Sequence, residues 1–164
     1  MRKIYVDLDG VLADFDTGFK LACGQSLEEV GDANIWNVLR PHADGFYAGL
    51  PLMPDAKLLW HHLHKSNFVD IQILSAIPRR AQFPTAERDK RIWVAKHFGP
   101  DVRVNMGPFA VDKQNWCRPG DILIDDSEKN IPQWRSKGGV GILHTSGVTT
   151  IQELMTMNLQ GDFE

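Results

Sequence analysis

The sequence predicts an α/β fold: a doubly wound parallel sheet with a small helical cap inserted after the first strand. Three observations predict it. Short β-rich runs alternate with helix-patterned segments along the chain. Two of the apolar runs lead straight into paired carboxylates, Asp7 with Asp9 and Asp125 with Asp126. Residues 14–54 are also more than a parallel crossover needs, since a dozen or more residues and one helix suffice.

Taken in order, Ile4, Tyr5 and Val6 are β-formers that read as a short buried strand. It runs into Asp7 and Asp9, with Gly10 behind them as a turn residue. Phe15, Phe19 and Ala22 then recur at roughly helical spacing, and Ser26 with Glu29 fits a capping box ahead of Val30. Trp36, Phe46 and Tyr47 follow, more aromatics than a solvated loop carries. These segments make up the expected cap, 14–54, set into a core of 1–13 and 55–164.

Asp55 reads as the N-cap of a helix to about Lys65, with Ala56, Leu59, Trp60 and Leu63 on one face. Phe68 to Leu74 reads as the second strand, ending at Ser75. A helix is expected over Thr85 to Phe98, burying Ile92, Val94, Ala95 and Phe98, and stopped by Gly99-Pro100. Val102–Asn105 is a third strand, followed by a loop that holds Lys113. Asp121–Ile124 is a fourth, ending in Asp125 and Asp126. A helix over Asn130–Ser136, a strand over Gly139–Leu143 and a helix from Val148 to about Met157 complete the alternation.

At 164 residues the chain is expected to form one domain with its cap. A formal net charge of −3 gives no electrostatic case for a nucleic-acid polymer or a membrane surface as partner. No apolar run reaches membrane-spanning length, and Asp7 and Asp9 interrupt any signal-peptide core. Cys23 and Cys117 suggest neither a disulfide framework nor a zinc site. A reducing cytoplasm is the expectation.

Four polar signals fall at strand ends or in the loops after them: Asp7 with Asp9, Ser75, Lys113, and Asp125 with Asp126. In a parallel sheet those ends share one edge, where ligands bind. Two carboxylates about 4 Å apart repel by roughly 4 kcal/mol at an effective dielectric near 20. A hard divalent cation answers that repulsion, and Mg²⁺ is the usual one beside a phosphate. Carboxylate nucleophile, metal, ammonium and hydroxyl together describe a site for a phosphoryl group. By contrast, His61, His62 and His64 diverge on their helix and read as an exposed face. Arg79, Arg80, Arg88, Lys90 and Arg91 read as a solvated basic stretch, and Trp116 and Trp134 as packing.

With these motifs in order, Asp7-Leu-Asp-Gly-Val11, Ser75, Lys113 and Ile124-Asp-Asp126, the sequence resembles the haloacid dehalogenase superfamily of phosphohydrolases. Within it the chain is most similar to deoxyribonucleotidases of the cytosolic and mitochondrial 5′(3′) type. Asp9 to Phe15, Trp93-Val94 with Lys96, Phe98 to Asp101, Ile35-Trp36 and Phe46-Tyr47 carry that similarity. The resemblance implies that Asp7 attacks phosphorus, that Asp9 moves protons, and that Ser75 and Lys113 bind phosphoryl oxygens. It implies a Mg²⁺ site of Asp7, the Asp9 backbone carbonyl and one of Asp125 and Asp126, the other holding Lys113 or a bound water. Phe15, Trp36, Phe46 and Tyr47 would stack on a nucleobase or another flat group, or else form the cap's own core. A homodimer is compatible with the relatives.

The chain departs from the mammalian Thr-Ser-Pro with Ser75-Ala76-Ile77-Pro78. Ser75 keeps a hydroxyl, while Ala76 stands where the family has a substrate-binding serine. The chain is also short for the family, which implies a trimmed cap. The expected function is a Mg²⁺-dependent phosphomonoesterase acting on small molecules, foremost (deoxy)nucleoside monophosphates. Its alternatives are a phosphatase for another metabolite, such as a sugar phosphate, and a non-catalytic phosphate- and Mg²⁺-binding module.

Overall fold

The computed structural model describes residues 1–65 and 69–157. Five strands form one sheet, β1 (Arg2–Val6), β2 (Val69–Ser75), β3 (Val104–Met106), β4 (Ile122–Asp125) and β5 (Val140–Leu143), in the spatial order β3-β2-β1-β4-β5. Every pairing is parallel. The chain builds outward from β1 to β2 and β3, then returns to the other side of β1 for β4 and β5. The order therefore reverses between β1 and β4, which opens a crevice at their carboxyl ends. Phe68, the expected start of the second strand, lies outside the described residues.

Side-chain alternation sorts the strands onto two layers. Ile4, Val6, Ile73, Ile122, Ile124 and Ile142 face a large core shared with the helices α4 (Ala56–Leu63) and α7 (Gly147–Thr156). Tyr5, Leu74 and Leu123 face the other side, against Ile131 and Trp134 of α6 (Asn130–Ser136). Trp134 packs edge-on to Tyr5, with ring centroids 5.4 Å apart, and its Nε1 donates to the Asp121 carbonyl at 3.0 Å. Asp55 does precede α4, but its carboxylate accepts from the Gly147 N–H and does not cap its own helix.

Between β1 and α4 the chain forms α1 (Phe15–Cys23), α2 (Leu27–Val30) and α3 (Ile35–Leu39), with short 3₁₀ turns. Asp14 caps α1 by accepting from the Thr17 N–H, and the expected Ser26/Glu29 capping box is present on α2. The two chain segments that enter and leave this region bond to each other, Asp14 N–H to Pro51 O and Met53 N–H to Leu12 O, both at 2.8 Å. Phe19, Leu39, Phe46, Tyr47 and Leu50 join the same apolar cluster as the sheet.

The helix after β2, α5 (Ala86–Phe98), faces inward differently from the expectation. Its buried residues are Ala86, Asp89, Lys90, Trp93 and Val94, whereas Ile92 is 48 % exposed and Ala95 is exposed. The reason lies in the polar groups. Asp89 accepts from the Gly45 N–H and from Thr85 Oγ1, and Trp93 Nε1 donates to Leu50 O. These bonds tie α5 to the segment that follows α3. No helix among the described residues is long and apolar enough to cross a membrane.

Candidate active site

The register of β1 on β4 sets the site. Val6 stands opposite Ile124, and the Asp7 N–H donates to Ile124 O at 3.0 Å. Asp7 and Asp125 thus leave neighbouring strands side by side at the reversal point. Lys113 reaches them from the 3₁₀ helix Ala110–Trp116, its Nζ 2.8 Å from Asp7 Oδ1 and 2.8 Å from Asp125 Oδ2. Asp125 is held further by Asn130 Nδ2 at 3.0 Å and by the Ser127 N–H at 2.9 Å. An ammonium has three N–H groups. Two go to these carboxylates, which leaves the third for the pocket that Lys113 lines.

Burial and then the neighbouring Asp125 push the Asp7 carboxyl up to about 8, against the opposing pull of Lys113. Burial draws the Lys113 ammonium down, but Asp7 and Asp125 outweigh it and hold its pKa above the usual lysine range. Asp126 is pushed up to about 6, by burial first and by Asp125 second. Three carboxylates therefore crowd around a single ammonium, and the cluster is short of positive charge.

That shortage is what a divalent cation would answer. Asp7, Asp125 and Asp126 each offer an oxygen within 4.8 Å of the others. Gly10 makes room for Asp126: its φ is +83°, and a Cβ there would stand 2.0 Å from Asp126 Oδ2. Asp125 spends both oxygens on Lys113, Asn130 and Ser127, whereas the Asp126 carboxylate is held by its own backbone N–H. A hard cation with oxygen ligands fits this donor set.

Asp9 points elsewhere. Its Oδ2 accepts from Lys90 Nζ at 2.9 Å, and Lys90 also donates to Ser75 Oγ at 2.8 Å and to Ala76 O at 2.7 Å. The ring of Tyr47 covers the same ammonium, 4.6 Å from Nζ to its centroid. Lys90 is thus buried beside the predicted motif residues, which corrects its reading as part of a solvated basic stretch. Its neighbours in that stretch fit the expectation better: Arg80 and Arg91 share Glu87 at the surface. The signal for Lys90 was in the sequence. Ala86, Asp89, Lys90, Trp93 and Val94 recur at i, i+3, i+4, i+7 and i+8, one face of a helix.

A pocket of about 300 Å³ opens over these groups, lined by Asp7, Asp9, Lys113, Asp125 and Asp126 with Gly10, Ala76 and Phe15 at its sides. Ser75 is buried behind it, against Lys90. Of the four expected aromatics, Phe15 alone lines this pocket. Phe46 and Tyr47 are 7 % and 2 % exposed and pack around Phe15 in the apolar cluster, which agrees with the alternative reading of these aromatics as core and not with pocket walls. Trp36 is 44 % exposed and stands edge-on to both Phe15 and Phe83.

A family model described as 5′ nucleotidase, deoxy (Pyrimidine), cytosolic type C protein matches residues 19–154, which include Ser75, Lys113, Asp125 and Asp126. The chain belongs to this family. It is 28 % identical over 154 residues to a protein from Bordetella pertussis named putative 5′(3′)-deoxyribonucleotidase, with 80 % of each chain covered. Two solved structures share the fold. L-2-haloacid dehalogenase from Xanthobacter autotrophicus matches with a TM-score of 0.51 at 13 % identity, over 98 % of this chain and 85 % of its own. A haloacid dehalogenase-like hydrolase from Streptococcus pneumoniae matches with 0.53 at 15 % identity, over 93 % and 91 %. This nucleotidase-family chain is accordingly a phosphoric monoester hydrolase on the α/β core that those structures share.

Proposed function

We propose that the chain is a Mg²⁺-dependent phosphomonoesterase that works through an aspartyl-phosphate and acts on (deoxy)nucleoside monophosphates. The observation that carries this reading is Lys113 bridging Asp7 and Asp125 at the point where the strand order reverses. In the first half-reaction a carboxylate oxygen of Asp7 attacks phosphorus, and the ester P–O bond breaks. The departing oxygen keeps that electron pair and takes a proton from Asp9. In the second, Asp9 removes a proton from water as the water oxygen attacks phosphorus. The Asp7–phosphorus bond breaks with its electron pair returning to Asp7, and inorganic phosphate leaves.

The remaining N–H of Lys113 and the hydroxyl of Ser75 bind phosphoryl oxygens while negative charge shifts between them. Asp7, Asp126 and the Asp9 backbone carbonyl would hold Mg²⁺, leaving Asp125 to orient Lys113. When bound, the ion supplies charge stabilisation at the phosphoryl oxygens. Residues 14–54 serve as the cap, with Phe15 at the pocket wall nearest the leaving group.

A second reading has its own observation. With Phe46 and Tyr47 buried and Ala76 lacking a hydroxyl, the pocket offers little to grip a base, which favours a smaller phosphorylated metabolite. Phosphate release measured over 5′ and 3′ nucleoside monophosphates and sugar phosphates separates the two. Preference for non-nucleotides would refute the first. Asp7→Asn should fold and release no phosphate; turnover by that variant would refute the mechanism.

A further inference from the structure

Lys90 takes no part in the mechanism above, yet it is one of two lysines buried at the site, 2 % exposed. Burying an ammonium is costly unless its hydrogens are matched by acceptors. Here the match is complete. The three N–H groups meet Asp9 Oδ2, Ser75 Oγ and Ala76 O at 2.9, 2.8 and 2.7 Å, and the Tyr47 ring closes the remaining side. No hydrogen is left for a phosphoryl oxygen, so Lys90 is unsuited to bind substrate directly.

We propose that Lys90 is a positioning residue for the reaction, fixing Asp9 and Ser75 as one unit. The inference rests on the reading in which Asp9 moves protons and Ser75 binds a phosphoryl oxygen. Asp9 Oδ1 is enclosed without a partner among the described residues, while the side chain as a whole is 30 % exposed. The oxygen that can reach the pocket is therefore Oδ2, the one that Lys90 holds. Lys90 equally sets the hydroxyl of Ser75. Because Oγ accepts from Nζ, its own hydrogen is turned away from Lys90, toward Ala76 O at 3.2 Å or an incoming phosphoryl oxygen. One ammonium on α5 thus aligns a group that follows β1 with the last residue of β2.

The test compares Lys90→Met with the wild type on a nucleoside monophosphate and on p-nitrophenyl phosphate, with thermal melting as the check on folding. With the nucleotide, kcat should fall on the order of 10²-fold, the scale of a misplaced catalytic group, while KM moves little. Nitrophenolate leaves without a proton, so with that substrate the first half-reaction loses only what Ser75 contributed, while the second loses the aligned Asp9 as well. The variant should then release a rapid burst of about one equivalent of nitrophenol per site before slow turnover. A structural role alone would slow both substrates equally and give no burst. That outcome, a kcat within threefold of wild type, or a loss confined to KM would overturn the assignment. Lys90→Gln carries the same test if the Met variant melts below the assay temperature. Asp7→Asn is assayed alongside: if it turns over, the reading of the mechanism fails, and if it is inert, a wild-type-like Lys90→Met overturns the Lys90 assignment alone.

Discussion

Two lysines are buried equally at this site, and they are bonded differently. Lys113 sits in the pocket wall between Asp7 and Asp125, with one N–H to spare. Lys90 sits behind the wall with all three N–H groups taken. Both are enclosed and paired with carboxylates, Asp9 for one and Asp7 with Asp125 for the other, so neither burial nor charge separates them. The count of unspent hydrogens does. An ammonium with one left can answer a shifting phosphoryl charge, whereas a saturated one can only hold other groups still.

The comparison breaks most easily at Lys113. Lys113→Met should cost about 10²–10³-fold in kcat, as loss of a donor to developing charge does, and should exceed the loss from Lys90→Met. Steady-state kinetics with one substrate across both variants checks it, and an equal or reversed order would collapse the distinction. The carboxylates around Lys113 come next. Asp126→Asn should weaken Mg²⁺ activation by about 10–100-fold with little change in melting temperature, on the scale of lost metal-site partners. Asp125→Asn should instead lower the melting temperature, because Lys113, Asn130 and Ser127 all bond to that carboxylate. Titrating activity with Mg²⁺ and melting both variants would separate the pair.

A smaller effect concerns pH. Burial raises the Asp7 carboxyl from its ordinary value of 3.8 to about 8. The folded metal-free protein then binds a proton that the unfolded chain has lost, so stability should decline as pH rises from about 4 to about 8. Metal-free melts across that window should fall with pH, and Asp7→Asn should flatten the slope. A rise with pH in the wild type would contradict the crowding of carboxylates around Lys113. The smallest change is Asp89→Asn, which weakens the bonds to Gly45, Thr85 and Arg88 beside Lys90. A loss of about 1–3 kcal/mol in stability, read by urea unfolding, is expected.

Much of the site was legible because its motifs are local. A short apolar run ending in Asp7, or in Asp125 and Asp126, states both a strand and the end at which its carboxylates gather. Lys90 was not, although its helical face was visible, because its partner Asp9 lies 81 positions earlier in the chain. A charged residue on a helix reads as solvated until its acceptors are known, and reading Lys90 outward turned the apparent face toward Ile92. The aromatics of 14–54 left two readings open. Aromatic content shows that a segment packs, but it does not distinguish a pocket wall from the inside of a cluster, and Phe46 and Tyr47 went inside.

By itself the sequence determined the alternation of strand and helix, the carboxylates at strand ends, and the extra segment after β1, all consequences of nearest-neighbour pattern. The tertiary structure alone decided which of Asp125 and Asp126 takes Lys113. The two are adjacent in sequence, but Asp125 meets Lys113 in the interior while Asp126 turns to the space over Gly10. It also decided that Lys90 belongs to the site. Both outcomes depend on how β4 and α5 pack against β1: a helical period marks the inward face of α5, but no pattern within one segment names the distant segment it meets.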